Sequence, residues 1–334
     1  MNNKRFGCLA LGLFFLLCIS AFINLVLLGA TSRGSHSSRK HGSAPRFDER
    51  VVVSGSAASS DKIALISLRG LISSSVSGSL GENMVEDIKI ALQQAIDDDD
   101  VRAIVLNIDS PGGEVTASDV IYNAVRKARE QKPVVVYMGS IAASGGYYVA
   151  CGGTWLIAND TSLTGSIGVI IQTLNYEQLL GKIGVDAVVF KSGKFKDILS
   201  GTRQMTPEEK EYIQALVMET YGKFVGIVAT ERKLPVDELR NGIADGRILS
   251  GKEALKDKLI NQLGQIEDAY AKAKQLGRTQ GAAIIRYEAP FRLGKLIKLF
   301  GESEKAKVEV NLASTGLPML ESGKLYLLPG FYAP

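Results

Sequence analysis

Ser144 stands where a nucleophile is usually presented. It follows a strand-like run over 133–137 and a stretch of small residues, and it precedes a short helical segment that Gly152 and Gly153 can terminate. A serine at a strand-to-helix turn exposes its hydroxyl at a helix N-terminus, and Gly145 and Gly146 let a substrate backbone come close. The chemistry this would serve is acyl transfer. A second glycine loop, DSPGGE over 109–114, also closes a strand. Gly112 or Gly113 there, together with Gly145, can aim backbone N–H groups at a developing oxyanion. The loop lacks the spacing of a P-loop or of a dinucleotide fingerprint, so a nucleotide site is not indicated.

Ser-Gly-Gly is also a common turn, so the serine needs a base before it means anything. The chain has two histidines, His36 and His41, both in the polar stretch RGSHSSRKHGS that no packed core could hold. Neither can be fixed at the roughly 3 Å that proton transfer requires. A lysine or a carboxylate remains, and serine–lysine dyads are known. A lysine works only when neutral, so its pKa must fall from about 10.4 by about three units, through apolar burial or a nearby cation. The stretch KSGKFKD over 191–197 offers Lys191, Lys194 and Lys196 beside Phe190 and Phe195. Spacing does not choose among them, and each reads equally well as a solvated surface lysine.

With 334 residues the chain has room for one large or two modest domains with a real core to hold these residues. The 39 basic residues barely exceed the 35 acidic ones and the excess lies largely in the first fifty positions, so a nucleic-acid partner is not expected. Of three cysteines, Cys8 and Cys18 lie in the apolar N-terminal segment, leaving Cys151. No disulfide framework, metal cluster or cofactor is implied. Cys151 follows Tyr148, Val149 and Ala150 and reads as a buried helix residue rather than a nucleophile.

Residues 6–30 form an uncharged apolar run that, at about 1.5 Å per residue, can cross a bilayer core of about 30 Å. Leucine at position 28 spoils a small-x-small exit, which favours an uncleaved anchor. Basic residues flank both ends, so charge does not decide its orientation. The expected organisation is a tip and transmembrane anchor over 1–31, a Ser/Gly/Arg/His-rich tether over 32–61, a catalytic α/β domain over 62–290 and an extension over 291–334. Strands are expected over 63–68, 101–108, 133–137, 154–158, 169–172, 188–190 and 282–287. Helices are expected over 83–96, 116–131, 176–183, 207–230, 266–276 and, short and basic, 291–300. Strand, glycine loop, helix and strand in repetition mark a parallel α/β arrangement with functional loops at strand ends.

The motifs DSPGG, ASGGYYVA, TGSIGV and SGKFKD, in this order and spacing, resemble the signal peptide peptidase A family of membrane-bound serine–lysine proteases. The resemblance covers about 63–273. It implies the layered β-β-α superhelix of the Clp protease and crotonase-like fold, with Ser144 as nucleophile and Lys196 as general base. It further implies that Ser166 orients the lysine and that Gly113 with Gly145 forms the oxyanion hole, Gly112 being the alternative to Gly113. Remnant signal peptides would be the substrates. The assembly would be a ring-like homo-oligomer with active sites shared between neighbours, anchored through 6–30 with the catalytic domain on the extracytoplasmic side of the cell membrane. The alternative is a crotonase-like enzyme acting on an acyl-CoA, for which Glu114 or Asp109 would supply the acid and base. The apolar stretch 325–334, LYLLPGFYAP, looks like the enzyme's own kind of substrate and is expected to occupy a groove or be trimmed, or else to cover an apolar patch as a terminal strand.

Overall fold

In the computed structural model the described residues are 15–17, 19–21, 23, 47–74, 83–288 and 325–329. They fall into two units, Met1–Ala44 and Pro45–Pro334. In the first, the described residues are helical and Phe15, Leu16, Leu17, Ile19 and Ile23 are exposed. Among the described residues no helix is long and apolar enough to cross a membrane. The anchor expected over 6–30 falls mostly outside them, as does the helix expected over 291–300.

The strands of the second unit are β1 (Asp48–Val53), β2 (Lys62–Arg69), β3 (Val101–Ser110), β4 (Gly113–Glu114), β5 (Val134–Ala143), β6 (Trp155–Ala158), β7 (Leu163–Gly165), β8 (Ile248–Ser250), β9 (Gln262–Leu263), β10 (Ala283–Glu288) and β11 (Tyr326–Leu327) along the chain, of which β4 and β11 pair in a small sheet of their own and the other nine form the main sheet. The helices are α1 (Met84–Asp97), α2 (Val115–Arg129), α3 (Gly145–Ala150), α4 (Glu177–Lys182), α5 (Pro207–Arg232), α6 (Val236–Asn241), α7 (Gly251–Lys256) and α8 (Ile266–Leu276). Spatial order in the main sheet is β1-β10-β2-β3-β5-β6-β9, with β7 pairing the far end of β5 and β8 pairing β7. The links from β10 through β9 are parallel, and β1 and β8 are antiparallel additions.

Both faces of the parallel strands are covered, and the two-residue period of a strand sorts the side chains between them. Ala64, Ile66 and Leu68 of β2, Ile104, Leu106 and Ile108 of β3, and Val134, Val136 and Met138 of β5 pack with α1, α2 and α3. The alternate residues, Ile63, Leu65, Ala103, Val105 and Val135, pack on Ala269 and Ala273 of α8. Consecutive parallel strands therefore end together, and β3 and β5 deliver their loops to the same edge.

Three local expectations are corrected. The tether ends earlier than residue 61, because β1 joins the main sheet beside β10, from Asp48 opposite Glu288 to Val53 opposite Ile284. Every residue of β1 is exposed, so no apolar pattern announced it; its partner strand supplies the order. No strand forms over 188–190, where Val188, Val189 and Phe190 are exposed without a neighbouring edge in the chain. At 169–172 a single bridge at Ile170 replaces the expected strand.

Candidate active site

β5 runs directly into Ser144, whose backbone is forced to φ 51 and ψ −114 before α3 begins. A non-glycine residue there is strained, and such a turn lifts a hydroxyl clear of the strand end. The turn is held from both sides: Ser144 N–H donates to Gly165 O at 2.9 Å and Tyr148 N–H donates to Ser144 O at 2.8 Å. The helix behind it is pinned by Tyr147, whose hydroxyl donates to Leu259 O at 2.8 Å, and by Tyr148, whose hydroxyl donates to Asp119 Oδ1 at 2.7 Å. Ser144 itself is fully buried, and its Oγ has no hydrogen-bond partner among the described residues. A buried, unpaired hydroxyl costs about 1–3 kcal/mol, a penalty that a partner arriving from outside the chain would relieve. Cys151 is buried as expected at the end of α3, and burial pushes its thiol up to about 12, far from a reactive thiolate.

The two glycine loops meet at this serine. Gly112 has φ +109, and a Cβ there would collide with the Leu327 carbonyl and come within 2.6 Å of Gly145 N. A Cβ on Gly145 would lie 3.0 Å from Gly113 N and 3.1 Å from Gly112 Cα. Only glycines allow the two loops to approach so closely. The Gly112 N–H donates to Ser110 Oγ at 3.1 Å and is thereby engaged. Ser110 was not singled out from sequence, and its role is a local turn contact with no periodic signal.

The TGSIG loop is the third wall. β7 pairs β5 in parallel, with Ile141, Ala142 and Ala143 opposite Leu163, Thr164 and Gly165. Ser144 and Ser166 each follow directly on that register, one residue beyond the paired Ala143 and Gly165. Ser166 is also at positive φ, 50°, is 3% exposed, and its N–H donates to Arg247 O at 2.8 Å.

KSGKFKD lies on a projecting arm between β7 and α5. The arm is closed at its base by Thr173 Oγ1 donating to Leu199 O at 2.9 Å, Tyr176 N–H to Gly201 O at 2.8 Å and Asn175 Nδ2 to Arg203 O at 2.7 Å. Its three lysines now differ. Lys191 Nζ pairs with Asp197 Oδ1 at 2.8 Å, and Lys194 Nζ pairs with Glu208 Oε1. Lys196 is exposed and makes no ion pair or side-chain hydrogen bond among the described residues. An amine committed to a carboxylate has no lone pair to offer, so Lys196 is the lysine of the three still available. The structure does not bring it to Ser144 within the chain, since Ser144 Oγ has no hydrogen-bond partner among the described residues.

The backbone under Lys196 is clamped by Arg203, which sequence reasoning missed. Its guanidinium donates to both Asp197 oxygens, at 2.7 and 2.8 Å, and also grips Glu209 in the first turn of α5. This holds Asp197 well below the usual carboxylate range and Glu209 down to about 2. Thr206 completes the anchor with a capping box on α5, in which its side chain and that of Glu209 each bond the other's backbone N–H.

The carboxylates needed by the acyl-CoA alternative are otherwise engaged. Glu114 is 8% exposed and accepts from the Ser73 hydroxyl at 2.9 Å and from Ser74, while Asp109 Oδ1 accepts Ile141 N–H at 3.2 Å. That alternative is therefore set aside.

A strained serine between glycine loops on a Clp protease-like α/β sheet defines a serine peptidase, and the comparisons with known proteins agree. The Clp protease model matches residues 52–175, and the model of peptidase family S49 matches residues 126–280. A protein of Synechocystis sp. named as a protease is 42% identical over 194 residues, 58% of this chain and 69% of that one. A protein of Enterococcus faecium named as a signal peptide peptidase SppA is 34% identical over 235 residues, 69% of this chain and 68% of that one. The chloroplastic serine protease SPPA of Arabidopsis thaliana is 32% identical over 79% of this chain and 36% of its own length. The chain belongs to peptidase family S49, the signal peptide peptidase A family.

Proposed function

We propose that this chain is a membrane-anchored serine–lysine endopeptidase that degrades remnant signal peptides and similar apolar peptides, working as a homo-oligomer with active sites shared between neighbours. The observation that carries the reading is the pairing of two incomplete halves: a buried Ser144 hydroxyl with no partner, and an exposed Lys196 with none. In this reading Ser144 Oγ attacks the scissile carbonyl and the Lys196 amine of a neighbouring copy takes its proton. Ser166, beside Ser144, orients that amine. Gly113 and Gly145 donate to the oxyanion, which the engagement of Gly112 N–H by Ser110 favours over Gly112. Burial between protomers would supply the dry surroundings that a neutral lysine needs. The arm presents Leu174, Leu179, Ile183, Val188 and Phe190 to solvent, an apolar surface suited to a second copy of the chain. The exposed apolar helical residues at 15–23 support an anchor over 6–30, with the catalytic unit on the extracytoplasmic side of the cell membrane.

The test is complementation. Ser144→Ala and Lys196→Ala each lower hydrolysis of a fluorogenic apolar peptide on the order of 10⁴-fold without unfolding the chain. Dissociating and reassembling the two variants together restores activity. Near-normal turnover by either variant refutes the dyad, and failure of verified mixed assemblies to recover refutes sharing.

A further inference from the structure

α3 carries Ser144 at its head and is only six residues long, Gly145–Ala150. A helix this short has little stability of its own, and the carbonyls at its end lack helical partners. Whatever holds its rear end therefore also helps to hold the strained serine. The sides of α3 are packed by rings, Tyr148 lying 5.4 Å from Tyr122 and 5.0 Å from Phe224 between centroids. The rear end is held by charge.

Arg129, the last residue of α2, reaches that end. Its Nη1 donates to Gly153 O at 3.2 Å and to Cys151 O at 3.5 Å, just where α3 stops. The guanidinium is itself fixed by Glu231 of α5, at 2.7 and 2.9 Å, and Glu231 also accepts the Tyr122 hydroxyl at 2.8 Å. Only a planar fork serves a carboxylate and two carbonyls together, and its charge suits the C-terminal end of a helix. Asp119 gives a second hold, accepting the Tyr148 hydroxyl while paired with Lys223 Nζ of α5 at 2.8 Å. Both supports line one groove of about 590 Å³ between α2 and α5. The groove shares no lining residue with the glycine loops, with TGSIG or with the arm, and the Arg126 and Lys223 side chains on it are 46% and 54% exposed.

We propose that Arg129 is a positioning residue for the nucleophile, acting from the rear end of α3, and that the groove it lines opens this support to small cations from solvent. The inference rests on Ser144 being the nucleophile, as in the reading above. Arg129 touches neither substrate nor reacting atoms. It fixes the carbonyls that close α3, α3 fixes the turn at Ser144, and Glu231 fixes Arg129. A displacement of about 1 Å at the reacting oxygen costs on the order of 100-fold in rate, so a support at the far end of a two-turn helix is felt in kcat.

The experiment follows hydrolysis of a peptidyl aminocoumarin amide by the full chain, with active sites counted by a fluorophosphonate. Arg129→Ala should lower kcat about 10–100-fold with KM within about threefold of wild type, because the nucleophile moves and the peptide's contacts do not. Millimolar guanidinium chloride should restore part of that kcat by entering the groove, and sodium chloride at equal concentration should not. Arg129→Lys, which keeps the charge but cannot serve Glu231 and the carbonyls together, should fall between. Arg126→Ala removes the same charge from the same groove without touching α3 and should match wild type. Because Arg129→Ala strands the Glu231 carboxylate, 10% exposed, the double variant Arg129→Met with Glu231→Leu repeats the test without a stranded charge and should show the same low kcat. Unchanged kcat per active site in any folded Arg129 variant overturns this inference. So does a loss in Arg129→Ala that guanidinium leaves untouched, or an equal loss in Arg126→Ala. In each of these cases an inactive Ser144→Ala leaves the proposed function standing, whereas turnover by Ser144→Ala sinks both.

Discussion

The cleft and the arm are built on opposite principles. Around Ser144 nearly every backbone group is committed: strand register, tyrosine hydroxyls and three tightly packed glycines set positions that no neighbouring molecule need supply. The arm carrying Lys196 is closed by hydrogen bonds at its base and a charge clamp at its root and otherwise holds only local turn and helix bonds, and its Phe190 is 95% exposed. One region is finished by folding; under the proposed function the other would be finished by association, which would keep the nucleophile inert until the chain assembles.

The sharpest way to break the contrast is Phe190→Asp. It should abolish activity together with assembly, read by sedimentation, while thermal stability of the unassembled chain stays within about 0.5 kcal/mol of wild type, as for other surface changes. An active monomer would show that the arm is not an interface. Gly113→Ala attacks the finished region instead. Its Cβ would run into the Ile72 carbonyl, moving β4 and its N–H, so kcat/KM should fall about 10²–10³-fold and the thermal midpoint should drop with it.

Arg203→Ala tests the arm's root. Loss of the clamp should misplace Lys196 and lower kcat on the order of 100-fold, with Arg203→Lys recovering only part of it. Its stability effect should depend on pH. The folded-state values of Asp197 and Glu209 lie below their ordinary ones, so the clamp's contribution is complete above the ordinary glutamate value of 4.5 and is lost as pH falls through about 2. Thermal midpoints of wild type and Arg203→Ala should differ by a constant amount near neutrality and converge in acid. A gap that does not narrow as pH falls from 4.5 toward 2 would remove these carboxylates from the account. The smallest effect is expected from Cys151→Ala: about 1 kcal/mol of stability for a small cavity and less than about a twofold change in turnover. Its thiol, pushed up to about 12 by burial, takes no part in the chemistry.

Much of the cleft was legible in the residues. Ser144 before paired glycines, the glycine loop after β3 and the burial of Cys151 follow from local rules of strand ends and helix starts, and the structure places them accordingly. The arm was less so. Three lysines within six residues are equivalent until Asp197 and Glu208 claim two of them, and Arg203 carries no pattern that marks it as a clamp. The expected strands at 169–172 and 188–190 have β-forming composition, yet a strand is a pairing, and no pattern within a segment reveals its partner.

By itself the sequence determined what short-range chemistry can determine: the alternation that sorts the strands into two buried faces, the caps of the helices, the glycines at the strand ends and the serine between them. Tertiary structure alone decided that Ser144 and Ser166 stand side by side, that β1 joins the sheet without one buried residue, and that Leu327 comes opposite Gly113 across more than two hundred residues. The reason is that such contacts are fixed by which edges remain unpaired once the core has closed, and an edge belongs to the folded sheet rather than to any stretch of chain.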